Sequence, residues 1–192
     1  AMKIFSTEQI RAWDAYTIEK EPVASVDLMN RAAAAFVDWW TGVYPDTQRP
    51  VCILAGTGNN GGDGIAVARL LHRKFYTVKV LVCAFSGKRS ADFDAQIAAL
   101  PPNKAVDIEW LNAADQLPQI SPDTLLIDAL FGSGLTRPLE GAWETLIAFL
   151  NNLPNEKAAI DLPSGLFADR HSSGPCLAAT CTFSFQTPKL AF

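Results

Sequence analysis

The chain has 192 residues, a formal net charge of −4, 49% hydrophobic and 19% charged residues. That length suits one domain with a substantial core, and the mildly acidic balance excludes nucleic-acid or membrane-surface binding through bulk charge. No apolar run is long enough for a membrane span, no basic and apolar leader opens the chain, and Ala1 reads as an addition before a natural start at Met2.

Ser6-Thr7-Glu8-Gln9 has the form of a capping box and predicts a helix that carries Ile10, Trp13, Ala15 and Ile18 and closes at Glu19 to Pro22. Ser25 is the expected cap of a second helix, with Leu28, Met29, Ala32, Ala33, Phe36, Val37 and Trp40 on one face. Residues 51–55 predict a strand, followed by a glycine-rich turn and a helix over 63–74. A strand over 77–83 follows, then a helix capped by Ser90 that Pro101-Pro102 breaks. Further expectations are a strand at 106–111, a helical turn at 113–119 and a strand at 124–128. A helix bearing Trp143, Leu146, Ile147, Phe149 and Leu150 comes next, then strands at 158–161 and 179–185. Nearly continuous apolar strands alternating with helices predict an α/β fold: a mostly parallel sheet covered on both faces. In such sheets ligands bind beyond the carboxyl ends of the strands.

Three strand ends carry chemistry. The first is Gly56-Thr57-Gly58-Asn59-Asn60-Gly61-Gly62-Asp63-Gly64, with five glycines in nine residues. Strand, glycine turn and helix N-terminus together suit a phosphate. The G-x-G-x-x-G spacing matches a dinucleotide fingerprint, but the acidic ribose ligand expected about 20 positions on is missing: the next strand runs into Ala84-Phe85. A tight turn with Asp63 as helix cap would explain the glycines but not two consecutive asparagines.

The second is Asp128-Ala129-Leu130-Phe131-Gly132-Ser133-Gly134-Leu135-Thr136-Arg137-Pro138. An aspartate after three apolar strand residues is costly to bury unless paired or cation-bound, although a turn or cap role competes. Arg137 suits a phosphate but also reads as a solvated charge, and Pro138 suits the first turn of the next helix. The third is Asp161-Leu162-Pro163-Ser164-Gly165. Pro163 should carry the strand out extended past Asp161, leaving that carboxyl as a general acid/base at a pocket mouth. A nucleophilic serine lacks support, because His72 and His171 adjoin no motif. Asn60, Asp128 and Ser164 would supply an amide oxygen, a carboxylate and a hydroxyl. That is an oxygen cage of low charge density, better suited to potassium than to Mg²⁺ or Ca²⁺. Cys52 and Cys83 fall in core strands, and Cys176 and Cys181 lack the spacing of a zinc site; four reduced thiols fit a cytoplasmic location.

These three motifs, in this order and spacing, resemble the NAD(P)H-hydrate epimerases, also called the YjeF N-terminal domain family. Leu28-Met29 before an alanine-rich helix, and Thr182-Phe183 with Lys189, are similar to the family too. The resemblance spans nearly the whole chain, so residues 1–192 read as one such domain, C-terminally incomplete because Phe183, Phe185, Leu190 and Phe192 want more apolar structure. It implies a Rossmann-like three-layer αβα sandwich and epimerisation of the C6 hydrate of NADH or NADPH. It implies potassium held by Asn60, Asp128 and Ser164. Substrate would be lined by Asn59, Asn60, Gly61, Gly62 and Asp63, by Gly132, Ser133, Gly134, Leu135, Thr136, Arg137 and Pro138, and by Asp161, with Asp161 moving the proton. It implies a homodimer and, in many bacterial members, a dehydratase domain elsewhere in the same polypeptide. The alternatives are a non-catalytic ligand- or protein-binding module, which need not keep all three motifs, and an ordinary NAD-dependent dehydrogenase, which would want the ribose carboxylate and a catalytic histidine.

Overall fold

The computed structural model describes residues 3–101, 106–114 and 117–192. Two helices open the chain, α1 (Thr7–Lys20) and α2 (Ser25–Val43), followed by β1 (Val51–Ala55), α3 (Asn59–Arg73), β2 (Val78–Cys83), α4 (Ala91–Ala98), β3 (Asp107–Leu111), β4 (Leu125–Ala129), α5 (Ala142–Asn152), β5 (Lys157–Ile160) and β6 (Cys181–Phe183). The six strands lie in the order β3-β2-β1-β4-β5-β6, and every pairing is parallel. The strand order reverses between β1 and β4, and their carboxyl ends leave a crevice there.

Alternation along the strands splits the core in two. Val51, Ile53, Ala55, Val80, Val82 and Ile127 face α2 and α3, where Phe36, Trp40, Ile65 and Leu71 complete one layer. Cys52, Leu54, Leu81 and Leu126 face the other way, onto Leu146, Ile147 and Leu150 of α5. This is the expected sandwich with helices on both faces.

Several local expectations shift. The Ser6 capping box forms, with Ser6 Oγ accepting from Gln9 N and Gln9 Oε1 accepting from Ser6 N. Ser25 does not cap α2; Ala24 is the N-cap, and the Ser25 hydroxyl donates to Asp92 Oδ2 instead. The glycine stretch is not a turn ahead of a helix over 63–74: α3 starts at Asn59, so two of the glycines form its first turn and Asp63 lies inside it. Helix α5 starts at Ala142, leaving Pro138 outside its first turn. Residues 113 and 114 form a bend and a turn and 117–119 are irregular, so no helical turn forms among the described part of 113–119. Pro102 lies outside the described residues; α4 already ends at Ala98.

Close backbone approach explains the glycines that carry no ligand chemistry. A Cβ on Gly61 would sit 1.8 Å from the Gly56 carbonyl oxygen, and one on Gly64 would sit 2.6 Å from Ala129 Cβ. The first contact folds the loop onto α3, and the second seats α3 against β4. Gly61→Ala should therefore destabilise by about 3 kcal/mol or more, since backbone cannot yield as a side chain does. Gly58→Ala, with nothing within 4 Å of its Cβ, should cost less than about 1 kcal/mol. Urea unfolding midpoints check the contrast, and equal midpoints would refute it.

Candidate functional site

At the β1/β4 crevice lies a cavity of about 550 Å³. Its floor and one wall come from α3 and the β4–α5 loop: Asn59, Asn60, Asp63, Gly132, Ser133, Gly134, Leu135, Thr136 and Arg137, with Asp161 beyond β5. The other wall comes from Ile10, Arg11, Asp14 and Ile18 of α1 and Leu28, Met29 and Ala32 of α2. The three sequence motifs thus meet in one place. Gly61 and Gly62 sit behind the wall, against Gly56 and the Met29 sulfur, and Pro138 packs toward Gly174. His72 lies in the last turn of α3 and His171 is exposed in the loop after β5; neither lines the cavity.

Asp161 is the most constrained residue of the site. The chain does not run on extended past it; Asp161 has φ 67°, and Leu162 N donates back to the Ile160 carbonyl at 2.8 Å. This left-handed conformation costs roughly 1 kcal/mol in a non-glycine residue, and it turns the carboxyl off the strand axis into the cavity. Ser133 N donates to Asp161 Oδ2 at 2.9 Å. Lys189 Nζ lies 2.6 Å from Asp161 Oδ1, with side-chain exposures of 1% and 10%. The Lys189 ammonium also donates to Ser184 Oγ at 3.0 Å and to the Phe185 carbonyl at 2.6 Å. Oδ1 is buried and makes no aligned hydrogen bond, so its contact with lysine is one of charge. Asn60 Oδ1 and Asp161 Oδ2 converge on Gly132, each about 3 Å from where its Cβ would be; any side chain there would push them apart.

Asp128 and Ser164 sit beneath the cavity wall, both fully buried. Ser164 donates twice to Asp128, from Oγ at 2.6 Å and from N at 2.7 Å, and Leu130 N adds a third bond at 3.1 Å. Phe131 N donates to Ser164 Oγ at 2.9 Å, joining the second motif to the third. Burial pushes the Asp128 carboxyl up to about 6 against these lowering bonds. A cation nearby would offset that penalty. The donor types fit a weakly charged hard ion: a desolvated carboxylate, a hydroxyl, backbone carbonyls and the Asn60 side-chain oxygen. Among the described residues no group of three His, Cys, Asp or Glu side chains forms a metal cluster.

Three other carboxyls line the cavity, Asp14, Asp63 and Asp92. Asp14 accepts from Gln186 Nε2 at 2.9 Å, and burial raises its carboxyl above the ordinary range. Asp63 is raised well above that range, first by desolvation and then by the charges of Asp161, Asp92 and Asp14. Sequence reading assigned no role to Asp14, Arg11, Gln186 or Lys189. Local sequence holds no signal for them, because they reach the site from the two ends of the chain.

The profile of a family described as "YjeF-related protein N-terminus" matches residues 25–191. The chain is 35% identical over 189 residues to a Limosilactobacillus reuteri protein named NAD(P)H-hydrate epimerase, covering 98% of this chain and 86% of that one. A Rhodobacter capsulatus protein of the same name is 33% identical, covering 97% and 90%. The crystal structure of a yeast protein, ynu0, superposes with a TM-score of 0.80 at 22% identity, over 98% of this chain and 82% of that one.

Two outcomes test this electrostatic description. A raised carboxyl keeps its proton in the folded state where the unfolded chain has released it, so stability falls as pH climbs above the usual carboxylate range. Asp63→Asn should show a shallower decline in melting temperature as pH rises above about 4; an unchanged slope would contradict the assignment. Lys189→Met leaves Asp161 without its counter-charge and should cost about 3–5 kcal/mol in urea unfolding; a loss below about 1 kcal/mol would mean the pair is solvated.

Proposed function

This chain belongs to the YjeF-related protein N-terminus family, and on that premise we propose that it interconverts the R and S forms of hydrated NADH and NADPH at C6, an isomerase activity in nicotinamide nucleotide repair. The observation that carries the reading is the Asp161 carboxylate, held at positive φ against Lys189 and the Ser133 amide and facing a dinucleotide-sized cleft. The chemistry needs a group that gives a proton and takes it back. In one route Asp161 first takes up a proton from solvent and passes it to the C6 hydroxyl, the C–O bond breaks with its electron pair leaving on water, and the N1 lone pair forms a C6=N1 double bond. Water then adds to the other face of C6 and returns a proton to the carboxylate. In the other route the C6–N1 bond opens and recloses, with the hydroxyl proton leaving and returning. A single carboxyl serves either.

Asn59, Asn60 and Asp63, Gly132 to Arg137 and Asp161, which line the cavity, are the proposed substrate contacts. Asn60, Asp128 and Ser164 would hold a potassium ion, which supplies positive charge beside the diphosphate of the bound dinucleotide. The desolvated Asp128 carboxyl supports that assignment. The amide N–H groups of the first turn of α3, whose N-cap Gly58 makes no side-chain capping bond, would hold the diphosphate. A cytoplasmic homodimer completes the reading, with a dehydratase domain as its partner in a longer polypeptide. Trp13 and Tyr16 stay exposed on α1 and support a contact there, whereas α2 buries its apolar face on α3.

The test starts from the R-hydrate of NADPH and follows formation of the S form. The wild-type protein should accelerate it well above background, and no acceleration would reject the activity. Asp161→Asn should reduce turnover by roughly 10²–10⁴-fold while changing nucleotide affinity far less. Full activity in that variant would remove Asp161 from the proton route.

A further inference from the structure

The cavity has a charge polarity that the proposed reaction does not use. Four carboxyls line it: Asp14, Asp63, Asp92 and Asp161. The nearest ammonium, Lys189, is buried and committed to Asp161. The cations that line the cavity are Arg11 of α1 and Arg137 of the β4–α5 loop. Arg11 Nη2 reaches to 3.8 Å from the point a Cβ on Gly134 would occupy, so it lies over the loop that carries Arg137 three residues on.

Elsewhere in the chain arginines are engaged. Arg31, Arg49 and Arg89 form ion pairs with Glu21, Glu156 and Asp94. Arg69 binds Asn30 and Gln96, and Arg170 donates to the Thr136 carbonyl. Arg11, Arg73 and Arg137 make no ion pair or hydrogen bond among the described residues, and two of these three line the same cavity. Asp14, one turn along α1 from Arg11, is turned to Gln186 instead. Unpaired guanidiniums from separate elements in an otherwise acidic cleft make an anion subsite, and planar, multidentate donors suit a phosphate monoester.

We propose that Arg11, together with Arg137, binds the 2′-phosphate of the substrate and makes this chain prefer hydrated NADPH to hydrated NADH. The inference rests on the function proposed above. With the diphosphate at the N-terminus of α3, the phosphate left for the arginines is the one that distinguishes the two hydrates.

The experiment measures KM and kcat of wild type, Arg11→Gln and Arg73→Gln with each hydrate. Arg11→Gln should raise KM for NADPH hydrate by about 10-fold or more, the loss of a charge-assisted bond to phosphate, with kcat within about twofold. KM for NADH hydrate should not move, nor should either value in Arg73→Gln, whose arginine lies in the last turn of α3 away from the cavity. Equal rises on both hydrates, or no rise on either, would overturn the proposal. Binding of 2′,5′-ADP and 5′-AMP by calorimetry separates it from the catalytic reading. If wild type epimerises neither hydrate, Arg11→Gln should still weaken 2′,5′-ADP by about 10-fold and leave 5′-AMP unchanged; equal affinities for 2′,5′-ADP would sink the subsite by itself.

Discussion

A lysine that is 1% exposed beside a carboxylate that is 10% exposed is a demanding contact, because each ion loses several kcal/mol of hydration on burial. Such a pair persists only when further hydrogen bonds complete it. Here Ser184 and Phe185 take the remaining lysine protons, and the Ser133 amide takes the other carboxylate oxygen. The pair thereby ties three segments far apart in sequence: the loop after β4, the turn after β5 and the residues after β6. Strain accompanies it. Asp161 and Gln186 both hold positive φ, and both line the cavity. Strained backbone held by a buried ionic contact is what a fixed proton-handling carboxyl requires.

The sheet makes this arrangement possible without making it specific. An all-parallel order with its reversal between β1 and β4 brings the ends of β1 and β4 side by side, and the Gly56 amide donates to the Ala129 carbonyl at 3.0 Å to lock them. The Asp128–Ser164 contact then joins the second and third motifs below the floor. Helix α1 adds the far wall and is held at its N-terminus and at its middle. Its N-terminal Thr7 amide donates to the Asp169 carboxylate at 2.9 and 3.0 Å, and its Asp14 reaches Gln186. The first and last parts of the chain are thus site elements.

What could be read from residues alone follows the range of the interactions. Strand, helix and fold class were legible because apolar periodicity is local: β1, β2, β4 and α5 fall where the pattern of Val51 to Ala55, Val78 to Cys83, Leu125 to Asp128 and Trp143 to Leu150 puts them. The meeting of the three motifs followed from parallel topology. The start of α3 was misread because glycine has poor helix propensity, whereas here Gly61 and Gly62 are kept in the helix by contacts with Gly56 and Met29 that no Cβ would allow. Ser25 looked like a cap because serine usually is one, and its hydroxyl went to Asp92 across two helices. Pro163 suggested an extended exit from the strand, but the chain turns at Asp161, where Lys189 and Ser133 hold the carboxyl. Asp14 stayed without a role because its partner, Gln186, lies 172 residues away, and Lys189 because its partner, Asp161, precedes β6 and meets it only once β5 and β6 pair.

The most direct measurement is a crystal structure of the protein soaked with hydrated NADPH in potassium buffer. The account predicts density in the cleft between α1 and the β4–α5 loop, with the C6 hydroxyl at about 3 Å from the Asp161 carboxylate. A nucleotide bound outside that cleft, or one inside it whose C6 points away from Asp161 with another proton donor at that distance, would contradict it.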